Sequence, residues 1–291
     1  MSLDQWVVEL AIGTSFGLLL FLLASGFTLT FGLARFVNLA HGAVFLVAAY
    51  VATQLSGPGW RFAVAVLAAA GTGVVLSVLV YLVAQLRWRR IGADELSQVL
   101  LTFGLLLVLA DFARDRWGGL PASAASPAFL DGSWAIGDSA FPVYRAFMAA
   151  IAILLAVALW WLQERTIFGA LVRAGVDDRE MLETTGSSVR PLFLAVFALG
   201  GLLAGLAAGI GAPVLGASMG QEFTILVLAF VIVVLGGPGS LAGAFVASLA
   251  VGVADALGKA LIPTFAEFTM MGLVIVTLAW RPNGLFGWSA R

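Results

Sequence analysis

The chain reads as a succession of apolar runs separated by short clusters of glycine, proline and charge. The runs fall near 7–33, 36–56, 61–86, 96–113, 143–163, 191–211, 222–235, 241–258 and 263–280. Breakers support the divisions: Ser-Gly-Pro-Gly-Trp at 56–60, a Gly/Pro/Ser-rich stretch over 118–139, and Gly-Gly-Pro-Gly-Ser at 236–240. A helix needs about 20 mainly apolar residues to cross a hydrocarbon layer about 30 Å thick, and helices satisfy their own backbone polar groups there. The pattern predicts an all-α, polytopic membrane bundle of about eight or nine transmembrane helices, a single transmembrane domain over 1–291. The run at 222–235 and the start of 36–56 are the two segments short enough to be broken or re-entrant.

Composition sharpens this. With 62% hydrophobic and 11% charged residues and a mean hydropathy of +1.06, the chain is no ordinary soluble domain, and the spans leave no length for a catalytic or nucleotide-binding domain. The absence of cysteine removes disulfides and thiolate metal sites. There is no G-x-x-x-x-G-K-[ST] and no H-E-x-x-H, and a single histidine does not build a His-based metal centre. No catalytic residue, cofactor or metal is therefore expected, and a net charge of −1 fits no nucleic-acid partner. The opening Met-Ser-Leu-Asp-Gln-Trp lacks a positively charged region and runs into a full-length apolar stretch, which reads as a first span and not a cleaved signal. With the N-terminus outside, ten of the 15 basic residues fall on the inner side, so the charge distribution favours N-out, C-in. Gly201, Gly205 and Gly209 form a small-xxx-small series, expected to serve ordinary bundle packing.

Three places stand out. Asn38 and His41 are polar groups in an otherwise apolar stretch. A span running only from Ala43 to Leu55 is about 20 Å long, too short to cross, so the helix starts near Phe36 or the segment dips in and breaks. Either way the pair sits at membrane depth, on one helix face if the helix is continuous, and it either walls a substrate path or bonds to neighbouring helices. At 234–245, Pro238 with Gly236, Gly237 and Gly239 rules out one continuous helix, leaving a transport-site break or a tight inner turn ending at Ser240. At 168–191, Asp177 is placed to cap a helix of about two turns, with Glu180 reaching back and Gly186 ending it. Met181, Leu182 and Thr185 share a side of that helix, which needs a covering surface. The embedded acids Glu9, Asp111, Glu222, Asp255 and Glu267 leave a proton-coupled carrier as an alternative, though most lie near span ends.

At these places the chain resembles the permease subunits of branched-chain amino-acid ABC importers, in particular the H-type subunit of the Liv system. Asn38, Ala40, His41 and Gly42 match that family's Asn, small, His, Gly pattern, with Ala43 where the family usually has an acid. Residues 169–192, with Arg173, Ala174, Asp178, Met181 and Gly186, are similar to its cytoplasmic coupling segment, placed here within 167–190. The Gly-Gly-x-Gly-Ser turn within 233–257 and Arg-Pro-Asn-Gly-Leu-Phe-Gly at 281–287 complete the resemblance. It implies a non-enzymatic permease of a bacterial inner membrane. The pore would be shared with a second, M-type permease subunit, driven by two cytoplasmic ATPases that bind the ATP, and supplied by an external binding protein. The implied substrate is a branched-chain or related hydrophobic amino acid, with urea or short-chain amides as the alternative within the same fold. The implied path residues are Asn38, His41, Gly42, Gly236, Gly237, Gly239 and Ser240. The implied ATPase-coupling residues are Arg173, Asp177, Asp178, Glu180, Met181, Leu182 and Gly186.

Overall fold

The structure, a computed structural model, describes residues 2–34, 37–91, 95–184, 189–281 and 284–286. In chain order the elements are α1 (Leu3–Ala34), α2 (Ala40–Leu55), α3 (Arg61–Ile91), α4 (Glu95–Trp117), a hairpin of β1 (Ser133–Ile136) and β2 (Ser139–Pro142), and α5 (Val143–Arg165). Next come α6 (Ile167–Asp177), α7 (Arg179–Thr184), α8 (Val189–Leu215), α9 (Gln221–Gly236), α10 (Leu241–Leu261) and α11 (Ala266–Trp280). Among the described residues, α1, α3, α4, α5, α8 and α10 are long and apolar enough to cross a membrane, and α2 and α9 are shorter apolar helices. The chain is a multi-pass helical membrane protein.

The central helix is α1, every residue of which from 17 to 30 is buried. Its polar residues are tolerated there because each hydroxyl bonds back to its own helix: Ser25 to the Leu22 carbonyl at 2.8 Å and Thr28 to that of Ala24 at 2.7 Å. Helices in lipid gain little from excluding water and associate by close approach instead. The α3–α8 crossing shows how. A methyl on Gly205 would lie 2.8 Å from the Ala70 Cα, and one on Gly209 would lie 2.9 Å from the Val66 Cα. The glycine series of α8 is thus used inside the chain, as ordinary bundle packing.

The 16 residues of α2 and of α9 give each helix about 24 Å, less than the roughly 30 Å of hydrocarbon. Both of the segments singled out by their length are therefore short helices. Of the two alternatives for α2, a start near Phe36 or a break, the described residues follow the second: Phe36 lies outside them, residues 37–39 are not helical, and the helix begins at Ala40 after a turn in which the His41 N–H donates to the Asn38 carbonyl at 3.2 Å. Asn38 thus precedes the helix and shares no helix face with His41. The physical reason is Thr102 of α4, whose hydroxyl accepts the Leu39 N–H at 3.2 Å and lies 3.3 Å from the Val37 carbonyl, so the turn keeps its backbone satisfied at depth without being helical.

The two ends of α1 mark the two ends of the bundle. Gly137 of the hairpin sits against Asp4 in the first turn of α1, whereas Gly175 of α6 faces Leu33 in its last. The long 118–142 connection and the α6–α7 segment therefore lie at opposite ends.

Candidate functional site

The segment after α5 is built by two caps. Thr166 accepts the Gly169 N–H at 3.2 Å and starts α6, a helix that its two glycines conceal in the sequence by suggesting a loop. Asp178, not Asp177, caps α7: its Oδ1 accepts the Met181 N–H at 3.0 Å. The single two-turn helix expected from Asp177 is thus replaced by an 11-residue α6 and a six-residue α7. Gly169, Val172 and Gly175 form the inward face of α6, and Leu182 joins them, with its Cδ2 beside Gly175. Met181 points the other way, so the expected shared side of Met181 and Leu182 does not form; Thr185 and Gly186, and the side chain of Glu180, lie outside the described residues. Arg173 donates to the Gln163 carbonyl and lies 3.8 Å from Glu164, tying α6 to the end of α5.

The Gly-Gly-Pro-Gly-Ser sequence is a tight turn from α9 into α10. Gly237 and Gly239 adopt φ of 95° and 77°, which side chains with a Cβ rarely tolerate, and Ser240 caps α10 by accepting the Gly243 N–H at 3.0 Å. The turn abuts α6 and α1: a methyl on Gly239 would lie 3.2 Å from Val176, and one on Gly32 would lie 2.7 Å from the Gly239 Cα. The Arg-Pro-Asn-Gly-Leu-Phe sequence closes the same junction. The N–H groups of Leu285 and Phe286 donate to the Leu235 and Gly236 carbonyls at 2.7 and 3.2 Å, satisfying acceptors that the end of α9 leaves free. A cleft of about 900 Å³ runs outward from this junction between α5 and α10, with Phe21 of α1 at its floor. Its walls are apolar, carried by Val157, Trp160, Phe245 and Val246, and its inner end carries Glu164, Arg173, Asp177 and Ser240.

Asn38 and His41 lie elsewhere. Both are buried, with His41 Nε2 3.2 Å from the Leu23 carbonyl and its ring against Phe27, while Asn38 Oδ1 has no hydrogen-bond partner among the described residues. Neither lines the cleft. Their neighbour Gly42 meets the backbone of Glu222, so the first turns of α2 and α9 cross. Gly236, at the far end of α9, is about 21 Å away along that helix. The structure therefore joins the turn to α6, and separates both from the Asn38–His41 pair. Glu222, 3% exposed, accepts the Gly220 N–H at 2.9 Å. Of the other acids, Asp111 and Asp255 pair with Arg114 and Lys259 within their own helices at 3.2 and 2.7 Å, and Glu267's side chain lies outside the described residues.

Residues 10–279 match the family described as branched-chain amino acid transport system / permease component. The chain belongs to this permease family. A high-affinity branched-chain amino acid transport system permease protein, BraD of Pseudomonas aeruginosa, is 26% identical, covering 98% of this chain and 95% of its own. The corresponding protein LivH of Escherichia coli K12 is 24% identical over 94% of this chain and 93% of its own. A fructose import permease protein, FrcC of Rhizobium meliloti, is 25% identical over 82% of this chain and 68% of its own. No solved structure matches. As members of a transport family, these permeases are not enzymes. What the apolar pattern misses in this permease is the end of the bundle opposite α6: the hairpin, signalled by the two-residue Gly137–Asp138 turn between alternating residues, and a bridge between Ala122 and Ala217, which no local pattern announces.

Proposed function

We propose that this permease is one transmembrane subunit of an ATP-driven importer for branched-chain or related hydrophobic amino acids, in a bacterial inner membrane with its N-terminus outside. The observation that carries the reading is the family match over residues 10–279. The partners are a second, M-type permease, two cytoplasmic ATPases that bind the ATP, and an external binding protein; the chain itself holds no cofactor. The apolar cleft between α5 and α10 faces the second permease, and the substrate passes along it past Gly239 and Ser240. Gly42 closes the α2–α9 crossing and His41 beside it bonds to α1, so that Asn38, His41 and Gly42 bound this path from within the bundle. The ATPase docks on the outward side of α6 and α7, where Met181 is exposed, while Leu182 anchors the segment to the bundle. A proton-driven carrier is not favoured, because the family matched over residues 10–279 is described as the permease component of a transport system, and Asp111 and Asp255 are each paired within their own helix.

The test is uptake into proteoliposomes holding this chain with its partner permease, ATPases and binding protein, offered labelled leucine, isoleucine, valine, urea, acetamide and fructose. ATP-dependent uptake of the three amino acids is expected. Uptake driven by a pH gradient without ATP overturns the reading, and ATP-dependent uptake of urea, acetamide or fructose alone overturns the substrate class.

A further inference from the structure

The inner end of the cleft holds charged groups whose bonding capacity the fold does not use. Arg173 spends only its Nη1 within the chain, on the Gln163 carbonyl and, at 3.8 Å, toward Glu164, so its Nη2 and Nε have no partner among the described residues. Glu164 stands beyond hydrogen-bond reach of that nitrogen and has no other polar partner among the described residues. With side chains 40% and 49% exposed, such a pair adds little to stability. Gln163 lines the same end, and its buried Oε1 is an acceptor with no hydrogen-bond donor among the described residues. Buried acceptors are normally paired.

The facing wall supplies donors. α10 starts here, and Ser240 takes up the Gly243 N–H through its hydroxyl and the Ala244 N–H through its carbonyl. The N–H groups of Leu241 and Ala242 are left without a partner among the described residues, and both residues line the cleft. A helix of 21 residues adds about half a positive charge at that point, in the end of the cleft that also holds Arg173. One turn outward the character changes. Glu164, Trp160 and Val157 follow one another on a single face of α5, so the apolar wall begins about 6 Å from the carboxylate, opposite Phe245 and Val246.

A ligand that matches these groups carries a carboxylate and an ammonium close together and an apolar side chain beside them. We infer that the inner end of the cleft is a binding site for the zwitterionic head of an apolar α-amino acid. Arg173 and the Leu241 and Ala242 N–H groups hold the carboxylate, while Glu164, joined by Gln163 Oε1 on a turn of its amide, holds the ammonium. The side chain lies outward between Trp160 and Val246. The site deepens the importer reading above and rests on it for the nature of its ligand. Arg173 and Glu164 set the specificity, because a charged group left unmatched rejects a compound that lacks the partner charge. Urea, amides and sugars lack both.

The test is equilibrium binding to the permease assembled with its partner permease and the ATPases in nanodiscs, without the binding protein. The probes are labelled leucine, 4-methylpentanoate, which lacks the ammonium, and 3-methylbutylamine, which lacks the carboxylate. Leucine is expected to bind at least about tenfold more tightly than either, the effect of one charge-assisted contact. Arg173→Gln should weaken leucine and 4-methylpentanoate about tenfold or more and leave 3-methylbutylamine at least as tight as in the wild type; Glu164→Gln should spare 4-methylpentanoate and weaken the other two. A loosened α6 does not produce this crossed pattern, because it would weaken all three probes in both variants. Equal loss of all three overturns the site, and so does wild-type leucine affinity in both variants. Absence of leucine binding by a complex that takes leucine up once the binding protein is added also overturns it. Leucine bound in the crossed pattern by a complex that shows no ATP-dependent uptake of any compound overturns the importer reading and not the site.

Discussion

Substituting Met181 and Leu182 separately distinguishes the anchoring of α7 from the ATPase docking proposed for it. Leu182 is 6% exposed and packs with Leu33 and Leu192 around Gly175, whereas Met181 is 63% exposed. Emptying an enclosed leucine site costs about 2–5 kcal/mol, and at the edge of the bundle the lower figure of about 2 kcal/mol applies to Leu182→Ala. A six-residue helix has little else to hold it, so α7 should detach from α6. Met181→Asp, on an exposed side, changes folding stability by no more than about 0.5 kcal/mol. Beneath a docked ATPase, however, it buries a carboxylate where a methionine was, and a central interface residue of that kind is worth about 2 kcal/mol or more. That corresponds to about a 30-fold weaker Kd. Thermal melts of the solubilised permease and titration with the ATPase subunits read the two quantities independently. Leu182→Ala should lower Tm, while Met181→Asp should leave Tm alone and weaken association. Wild-type affinity in Met181→Asp refutes the docking assignment whatever Leu182→Ala does.

Two further substitutions probe the scaffold. Gly201→Val drives a side chain into the Gly73 backbone and Ser77 across the α3–α8 crossing, an overpacking cost of about 1–3 kcal/mol, and an unchanged melting temperature would contradict that crossing. Thr102→Val keeps the shape but strips the hydroxyl that serves the Leu39 N–H, at about 1–3 kcal/mol for the buried donor left bare; Thr102→Ser should restore the melting temperature, and failure to do so argues that packing and not hydrogen bonding is lost.

The spans are legible in the sequence because each is an apolar run closed by glycine, proline or charge, and the two short ones declare themselves by length alone. The segment between α5 and α8 is visible too, but its internal division is not. Asp177 and Asp178 are equally good caps in sequence; α6, started by Thr166, runs through Asp177, and Asp178 takes the role. Met181 and Leu182 look equivalent as neighbouring apolar residues; which one faces the bundle depends on α6 folding back so that Gly175 leaves room for a side chain. The pairing of Ala122 with Ala217 and the clamp of Leu285 and Phe286 on α9 depend on contacts between segments far apart in the chain, and periodicity carries no trace of those. Helix length alone places Asn38 and His41 at depth, yet their separation from the glycine turn comes from the length of α9 and its crossing with α2, neither of which a motif states.

The clamp on α9 also orders events during synthesis. The carbonyls of Leu235 and Gly236 wait for donors that emerge about fifty residues later, at Leu285 and Phe286, after α10 and α11 have been synthesised. That end of α9 is therefore among the last parts of the bundle to settle, and a nascent chain arrested before Gly284 leaves the two carbonyls without these donors. A bulky fusion placed directly after residue 286 would sit against the end of α9, beside the turn where Gly239 meets Val176 of α6.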